Sequence, residues 1–381
     1  MVEEEKAGTG HRIVTLDVLK GALMLGIILI HLFYLSDAHV SRPESSSPIY
    51  IQMLYLGLML FFISAGYFFR PDRGVVSNIK KRAIQLLIPI VVGLIVLPTI
   101  LFGYLTVLGQ APTWEDLYPS YKAVIGGIHA FDSYSSTGID IGMCFVYNGY
   151  YFLQLMVVAF VPFYILAEKV LDDPKKLIIS IILLITCTAL LREFVDMRLP
   201  FYAQLSPLAA AFMLLGAALG RKGLLEWIEG ASLKDVKFWA LLIISLVAGA
   251  IVVFIFPTGT GFDMTYFGEY GGYSAYPYFI AASFTCVGLM VIGSLVARIP
   301  VLSNVLALAG RHSIALICLH IFIIKLMMAP FHHLSSVNVF PAVSTTEDII
   351  YWVVSVAVIV ILAEYLPGII RKKMGSKHAK E

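Results

Sequence analysis

Apolar residues in this chain fall in long blocks separated by short polar stretches. A helix needs about 20 apolar residues to cross the hydrocarbon layer of a bilayer. Blocks of that order occur at 18–36, 50–69, 83–108, 147–167, 176–192, 201–220, 237–257, 276–297, 305–328 and 347–367. The pattern predicts an all-α polytopic membrane protein, a bundle of about ten transmembrane helices. Pro89, Pro98, Pro162 and Pro207 lie inside or beside these blocks, and the kinks they favour are tolerated in a bundle better than in water. The longest polar stretch, 109–146, contains "SYKAVIGGIHAFDSYSSTGIDIG", and 258–275 contains "FDMTYFGEYGGYSAYPY". Such aromatic and glycine-rich segments suit stacking on sugar rings and suit an interfacial aromatic belt equally well.

Composition agrees: 59% of the 381 residues are hydrophobic, 14% are charged, and the mean hydropathy is +0.86. The net charge of +2 offers no basic field for nucleic acid. Position is more informative than total charge. With the N-terminus inside, twenty-one lysines and arginines fall on the cytoplasmic side; only Arg42, Lys122, Arg192 and Arg198 fall outside, and Lys20 and Lys325 belong to spans. A missed span would invert every later loop, so this asymmetry predicts both termini inside and a multi-pass protein of the cytoplasmic (plasma) membrane. The first block lacks a cleavage site and contains His31, which predicts a retained signal anchor. Residues 1–11 and 372–381 read as a disordered N-terminus and a basic tail, both cytoplasmic, flanking one membrane domain over 12–371. Cys144, Cys187, Cys286 and Cys318 have no CxxC spacing, and the last three lie in apolar runs, which suits small core residues.

The chemistry begins in "LDVLKGALMLGIILIHLFY", Leu16 to Tyr34. Lys20 and His31 are close to three whole turns apart, so both lie on one helix face about 16 Å apart along the axis. Ionisable groups inside spans are functional candidates by default, although a neutral histidine bonded to a neighbouring helix is the plainer alternative. Asp17 and Lys20, spaced i, i+3, suit an ion pair at the helix end. The second constellation is "FFISAGYFFRPDRGVVSNIKKRAIQLLIP". Arg70 and Arg73 flank a Pro-Asp turn, and Lys80, Lys81 and Arg82 follow. Paired guanidinium groups suit bidentate recognition of phosphate; a basic cluster that only sets topology or touches anionic lipid is the simpler account.

The two constellations, taken in order, resemble the acyltransferase 3 family of integral membrane acyltransferases. The likeness rests on the LD-x-L-[RK]-G opening with His31 downstream, "FFISAGYFF", the R-x-x-R of Arg70 and Arg73, and "NIKKRAIQLLIP". It continues with "YYFLQL" at 150–155 and "LAGRHSIALICLHIFI" at 308–323. The first basic position, more often Arg in the family, is Lys20 here. The resemblance implies an acyl-CoA donor, acetyl-CoA or a longer relative, entering from the cytoplasm. The acceptor would be a hydroxyl of a carbohydrate or lipid-linked sugar on the other side, and no permanently bound cofactor is implied. It makes Lys20, Arg70, Arg73, Lys80, Lys81 and Arg82 candidates for the donor's phosphates and His31 the candidate general base, since imidazole has the intrinsic pKa for activating a hydroxyl.

Other residues fit simpler accounts. Ser64 and Gly66 suit close helix packing, with donor contact by Ser64 the alternative. His320 suits a satisfied core histidine or a partner for His31. Lys325 suits snorkelling or a buried acid, and Glu364 suits interfacial solvation. Arg192, Glu193, Asp196 and Arg198 suit solvated ion pairs. His332 and His333 lack a third ligand at credible spacing, so no metal is expected. The expected partners are acyl-CoA, the acceptor and the lipid bilayer, without nucleic acid; a homo-oligomer is compatible with all of this. The competing class is a transporter or channel with His31, Lys20 and His320 along its path, for which no internal repeat speaks. A family member that modifies or exports a polymer beside a synthase is a third.

Overall fold

The computed structural model describes residues 13–36, 56–71, 74–126, 150–194, 199–255, 275–331 and 345–378, without the side chains of 30–36, 125–126, 345, 348 and 366–378. Every regular element among them is helical. In chain order these are α1 (Val14–Ser36), α2 (Leu60–Tyr67), α3 (Val75–Val91), α4 (Leu97–Val107), α5 (Trp114–Gly126), α6 (Tyr150–Val170) and α7 (Pro174–Phe194). They continue with α8 (Ser206–Arg221), α9 (Leu224–Gly230), α10 (Val236–Ile255), α11 (Ala275–Ala297), α12 (Pro300–Arg311), α13 (Ser313–Met328) and α14 (Thr345–His378).

Local sequence explains several starts. The Asp173 carboxylate accepts from the amides of Lys175 and Lys176, with Pro174 as the first residue of α7. That is the pairing of an acidic cap with a proline whose missing amide would have been unsatisfied anyway. Asp235 caps α10 in the same way through the Lys237 amide. Between α3 and α4 the chain widens into a π-turn over Val92–Val96. Pro89 and Pro98 lie on either side of it, and each withholds an amide from the helical ladder. Helix continues through the turn, so Val75–Val107 forms one 33-residue rod.

Six helical segments are long and apolar enough to cross a membrane: the α3–α4 rod, α6, α7, α8 with its leading 3-10 turn, α10 and α11. A seventh arises if α12 and α13 count as one. The chain is thus a multi-pass membrane protein; the block at 50–69 begins outside the described residues, and Ile349–Tyr365 is a shorter apolar stretch of α14.

Two expectations change. The block at 305–328 is not one straight span, because the chain bends by 80° between α12 and α13 at His312. Before the bend Gly310 packs on α1, and after it Leu316, His320 and Ile324 are buried. The polar stretch 109–146 also contains a helix, α5, started by Thr113, whose amide and hydroxyl both donate to the Asp116 carboxylate.

The core is organised around α8, which packs on α2, α6 and α7. Its run "SPLAAAFMLLGAALGR" is small-residue rich, and the α2 backbone comes close enough to exclude side chains. A Cβ on Gly216 would stand 1.9 Å from the Ile63 carbonyl oxygen, and one on Gly66 would stand 1.9 Å from that of Met213. A second crossing joins α1 to α12. There a Cβ on Gly21 would meet the Leu306 oxygen at 2.0 Å, and one on Gly310 would meet the Asp17 oxygen at 1.8 Å. Lipid tails are as apolar as leucine, so helices in a bilayer associate through such close backbone packing and not through a hydrophobic drive.

Candidate functional site

The ends of α1, α2 and α3 that carry the basic residues gather at one end of the bundle. Lys20 is half-buried on the second turn of α1, and its charged neighbours are Asp17 on the same helix and Arg82 on α3. Asp17 fits its expected role as local partner to Lys20. Arg82 comes from a separate helix, and its approach sets two like charges against each other. Arg70 is exposed just after α2, with its carbonyl accepting from the Asn78 side-chain amide at 3.3 Å. Lys80 and Lys81 are exposed on the second turn of α3. Arg73 lies outside the described residues.

His31 lies on α1, three turns beyond Lys20 in backbone, and its side chain is outside the described residues. The Ser64 hydroxyl is buried and donates to the Phe61 carbonyl at 2.9 Å, in keeping with a packing role beside Gly66. His320 is fully buried on α13 with Nδ1 2.8 Å from the Leu316 oxygen, a bond within its own helix. Lys325, on the same helix, is buried and does not snorkel outward.

The recognisable sequence stretches meet one another in space. The opening of α1 lies against "LAG" of α12 through Gly21 and Gly310. The "YYFLQL" stretch reaches three elements in turn. The Tyr150 hydroxyl donates to the Cys318 carbonyl at 2.6 Å and fills the notch left by Gly93 in the π-turn. The Phe152 ring lies 4.4 Å from that of Phe62. The Gln154 amide donates to the Ala123 and Val124 carbonyls at 2.7 and 3.1 Å, holding the last turn of α5. These carbonyls would otherwise end a buried helix unsatisfied.

At the opposite end of the α3–α4 rod, α5 presents Trp114, Glu115, Tyr118 and Lys122 on its exposed face. The Trp114 and Tyr118 ring centroids are 5.9 Å apart, and the Lys122 ammonium lies 4.5 Å from the Tyr118 ring. The Tyr121 hydroxyl is tied to that of Thr99 at 2.6 Å, which fixes α5 against α4. Ile84, Leu87, Ile88, Val91 and Val92 form an aliphatic outer face of the rod.

Several contacts correct or extend the pattern seen in sequence. Glu364 is not merely solvated, since its carboxylate meets His312 Nε2 at 2.6 Å and ties α14 to the α12–α13 corner. Cys286 and Cys318 are buried, whereas Cys187 is exposed on α7. Cys144, Asp196, Arg198, His332 and His333 lie outside the described residues, among which no cluster could hold a metal ion. The roles of Gly21, Gly310, Tyr67 and the α9 acids were not legible. Glycines inside an apolar helical run are costly relative to alanine and often mark close packing, so the first two carried a usable signal. "LLEWIEG" carried none that names a partner.

A family model described as an acyltransferase domain, that of the acyltransferase 3 family, matches residues 13–364. No curated protein and no solved structure matches the chain.

Proposed function

Since the chain belongs to the acyltransferase 3 family, whose members transfer acyl groups within membranes, we propose that it takes an acyl group from acyl-CoA on the cytoplasmic side. The group, acetyl in the simplest case, passes to a hydroxyl of a carbohydrate or lipid-linked sugar across the plasma membrane. The observation that carries this reading is that basic residues from separate helices, Lys20 of α1, Arg70 after α2 and Arg82 of α3, come to one end of the bundle, where the Asn78 amide holds the Arg70 carbonyl at 3.3 Å. Cations gathered from separate helices favour a ligand that carries negative charge. The phosphates of coenzyme A have that charge, and Arg73, Lys80 and Lys81 extend the basic surface.

From there the pantetheine arm runs along α1. Its reach is on the order of the ~16 Å between Lys20 and His31, which brings the thioester to the imidazole. His31 takes the proton from the acceptor hydroxyl as its oxygen attacks the thioester carbonyl. The carbon–sulfur bond then breaks, and the departing thiolate of coenzyme A receives the proton. The aromatic and charged face of α5, at the far end of the α3–α4 rod, supports an acceptor that stacks a sugar ring and hydrogen-bonds to Glu115 and Lys122. Both termini lie in the cytoplasm in this arrangement, in keeping with the charge bias of the loops.

The test is calorimetric titration of acetyl-CoA into the full chain in nanodiscs, with coenzyme A as a control. Replacing both Arg70 and Arg73 with Ala raises the dissociation constant by far more than tenfold, since charge-assisted contacts contribute about 1.5 to 3 kcal/mol each. His31→Ala retains donor binding and loses transfer. Absence of acetyl-CoA binding in folded wild-type protein would overturn the proposal, and normal transfer by His31→Ala would remove the base.

A further inference from the structure

The short helix α9 bridges the two helices that bring the basic residues together. Glu229 Oε1 accepts from the Thr15 amide at 2.9 Å, satisfying a backbone donor in the first turn of α1, five residues before Lys20. Glu226 Oε2 accepts from the Tyr67 hydroxyl at 2.5 Å at the end of α2, three residues before Arg70. The same hydroxyl oxygen accepts from the Leu225 amide at 3.0 Å, so Tyr67 is held to α9 from both directions.

The bridge itself is anchored. Leu225 and Ile228, on the adjacent face of α9, are fully buried. Gly223 begins the helix at a φ of +62, a left-handed conformation that glycine adopts without strain. One turn earlier, α8 passes so close to α2 that a Cβ on Gly220 would stand 2.5 Å from the Tyr67 carbonyl oxygen. One face of one short helix therefore fixes the start of α1 and the finish of α2, whose basic residues lie more than forty positions apart in the chain.

We propose that Glu226 and Glu229 are positioning residues that set the separation between Lys20 on α1 and Arg70 after α2, and so set donor affinity. This rests on the acyl-CoA reading given above. Its sign is opposite to what charge alone predicts. Two carboxylates near a phosphate site repel the ligand, so on electrostatics their removal tightens binding. If they act by holding the helices, deleting their acceptor atoms weakens binding.

Two kinds of substitution separate these effects. Glu226→Ala and Glu229→Ala remove both the charge and the acceptor. Glu226→Gln and Glu229→Gln remove the charge and keep an oxygen that can still accept from Tyr67 and from the Thr15 amide. Acetyl-CoA is titrated into the full chain in nanodiscs, each variant being checked for a monodisperse profile and a wild-type melting temperature. The expected result is about tenfold weaker binding in each Ala variant, the scale of one charge-assisted hydrogen bond, with wild-type or tighter binding in each Gln variant. Tyr67→Phe should weaken binding at least as much as Glu226→Ala, because it removes the bond to Glu226 together with the acceptor of the Leu225 amide.

Unchanged or tighter binding in the Ala variants overturns the inference. So does a loss in the Gln variants equal to that in the Ala variants, since the Gln variants keep the acceptor oxygen to which the effect is assigned. Wild-type protein that is folded and binds no acetyl-CoA fails at the earlier step and overturns the donor reading itself.

Discussion

Helices α7 and α8 are neighbours in sequence and in space, yet they occupy opposite environments. The α7 segment has a mean hydropathy of 2.1 and is 17% buried within the protein, whereas the α8 segment, at 1.5, is 72% buried. The less hydrophobic helix is the one at the centre. In water this order would be inverted, because burial there follows the transfer of apolar surface. In a bilayer the tails solvate leucine and isoleucine as well as a protein core does, and what distinguishes α8 is its Ala-Ala-Ala and Gly content, which lets the α2 backbone approach. Side-chain size, and not hydropathy, sorts these two helices into core and periphery.

The sharpest way to break this comparison is Gly216→Val. The new Cβ would fall 1.9 Å from a backbone oxygen, and two more methyl carbons would follow it. Backbone on both sides leaves little room to yield, so the expected loss is about 4 kcal/mol or more. It should appear as the disappearance of the monodisperse peak on size exclusion, together with any donor binding that depends on α2. A variant that purifies and melts like wild type would show that the crossing is looser than described.

A smaller effect sharpens the comparison within the core. Tyr150→Phe keeps the ring edge against Gly93 and removes the hydroxyl that reaches the notch and bonds to the Cys318 carbonyl. The expected cost is about 1 kcal/mol, a central value for one hydrogen bond, read as a melting shift of a few degrees. A loss as large as that of Gly216→Val would mean that this hydroxyl does more than join α6 to α13.

The smallest effect belongs to the periphery. Leu183 on α7 is 61% exposed, and Leu183→Ala exchanges one lipid-facing aliphatic group for a smaller one. Stability should change by no more than about 0.5 kcal/mol, measured by the same melting assay. A loss several times larger would show that this face of α7 is covered by another protein surface and not by lipid.

Much of the helical framework is legible in the sequence, because a span needs a block of apolar residues of nearly fixed length, and the caps at Asp173 and Asp235 are local signals. The 80° corner at His312 is easily read through, since 305–328 scans as one apolar block and only the short polar run from Gly310 to Ser313 marks the break. Helix α5 was hidden inside a stretch read for its aromatics, although Thr113 and Asp116 stand at capping distance. For the candidate site, the order of the motifs singles out Lys20, Arg70 and the basic start of α3. It does not say that Arg82 is the one brought near Lys20, nor that Glu364 meets His312.

The sequence by itself determined a multi-pass helical membrane protein of one acyltransferase family and the residue types available to its chemistry, because hydropathy blocks and ordered motifs are properties of the chain taken in order. Only the tertiary structure decided which helices touch through backbone, that "YYFLQL" braces three elements at once, and that the two glutamates of α9 reach α1 and α2. Thr15 and Glu229 are more than two hundred positions apart, and their contact depends on how many helices pack in between. No local pattern in a sequence encodes that geometry.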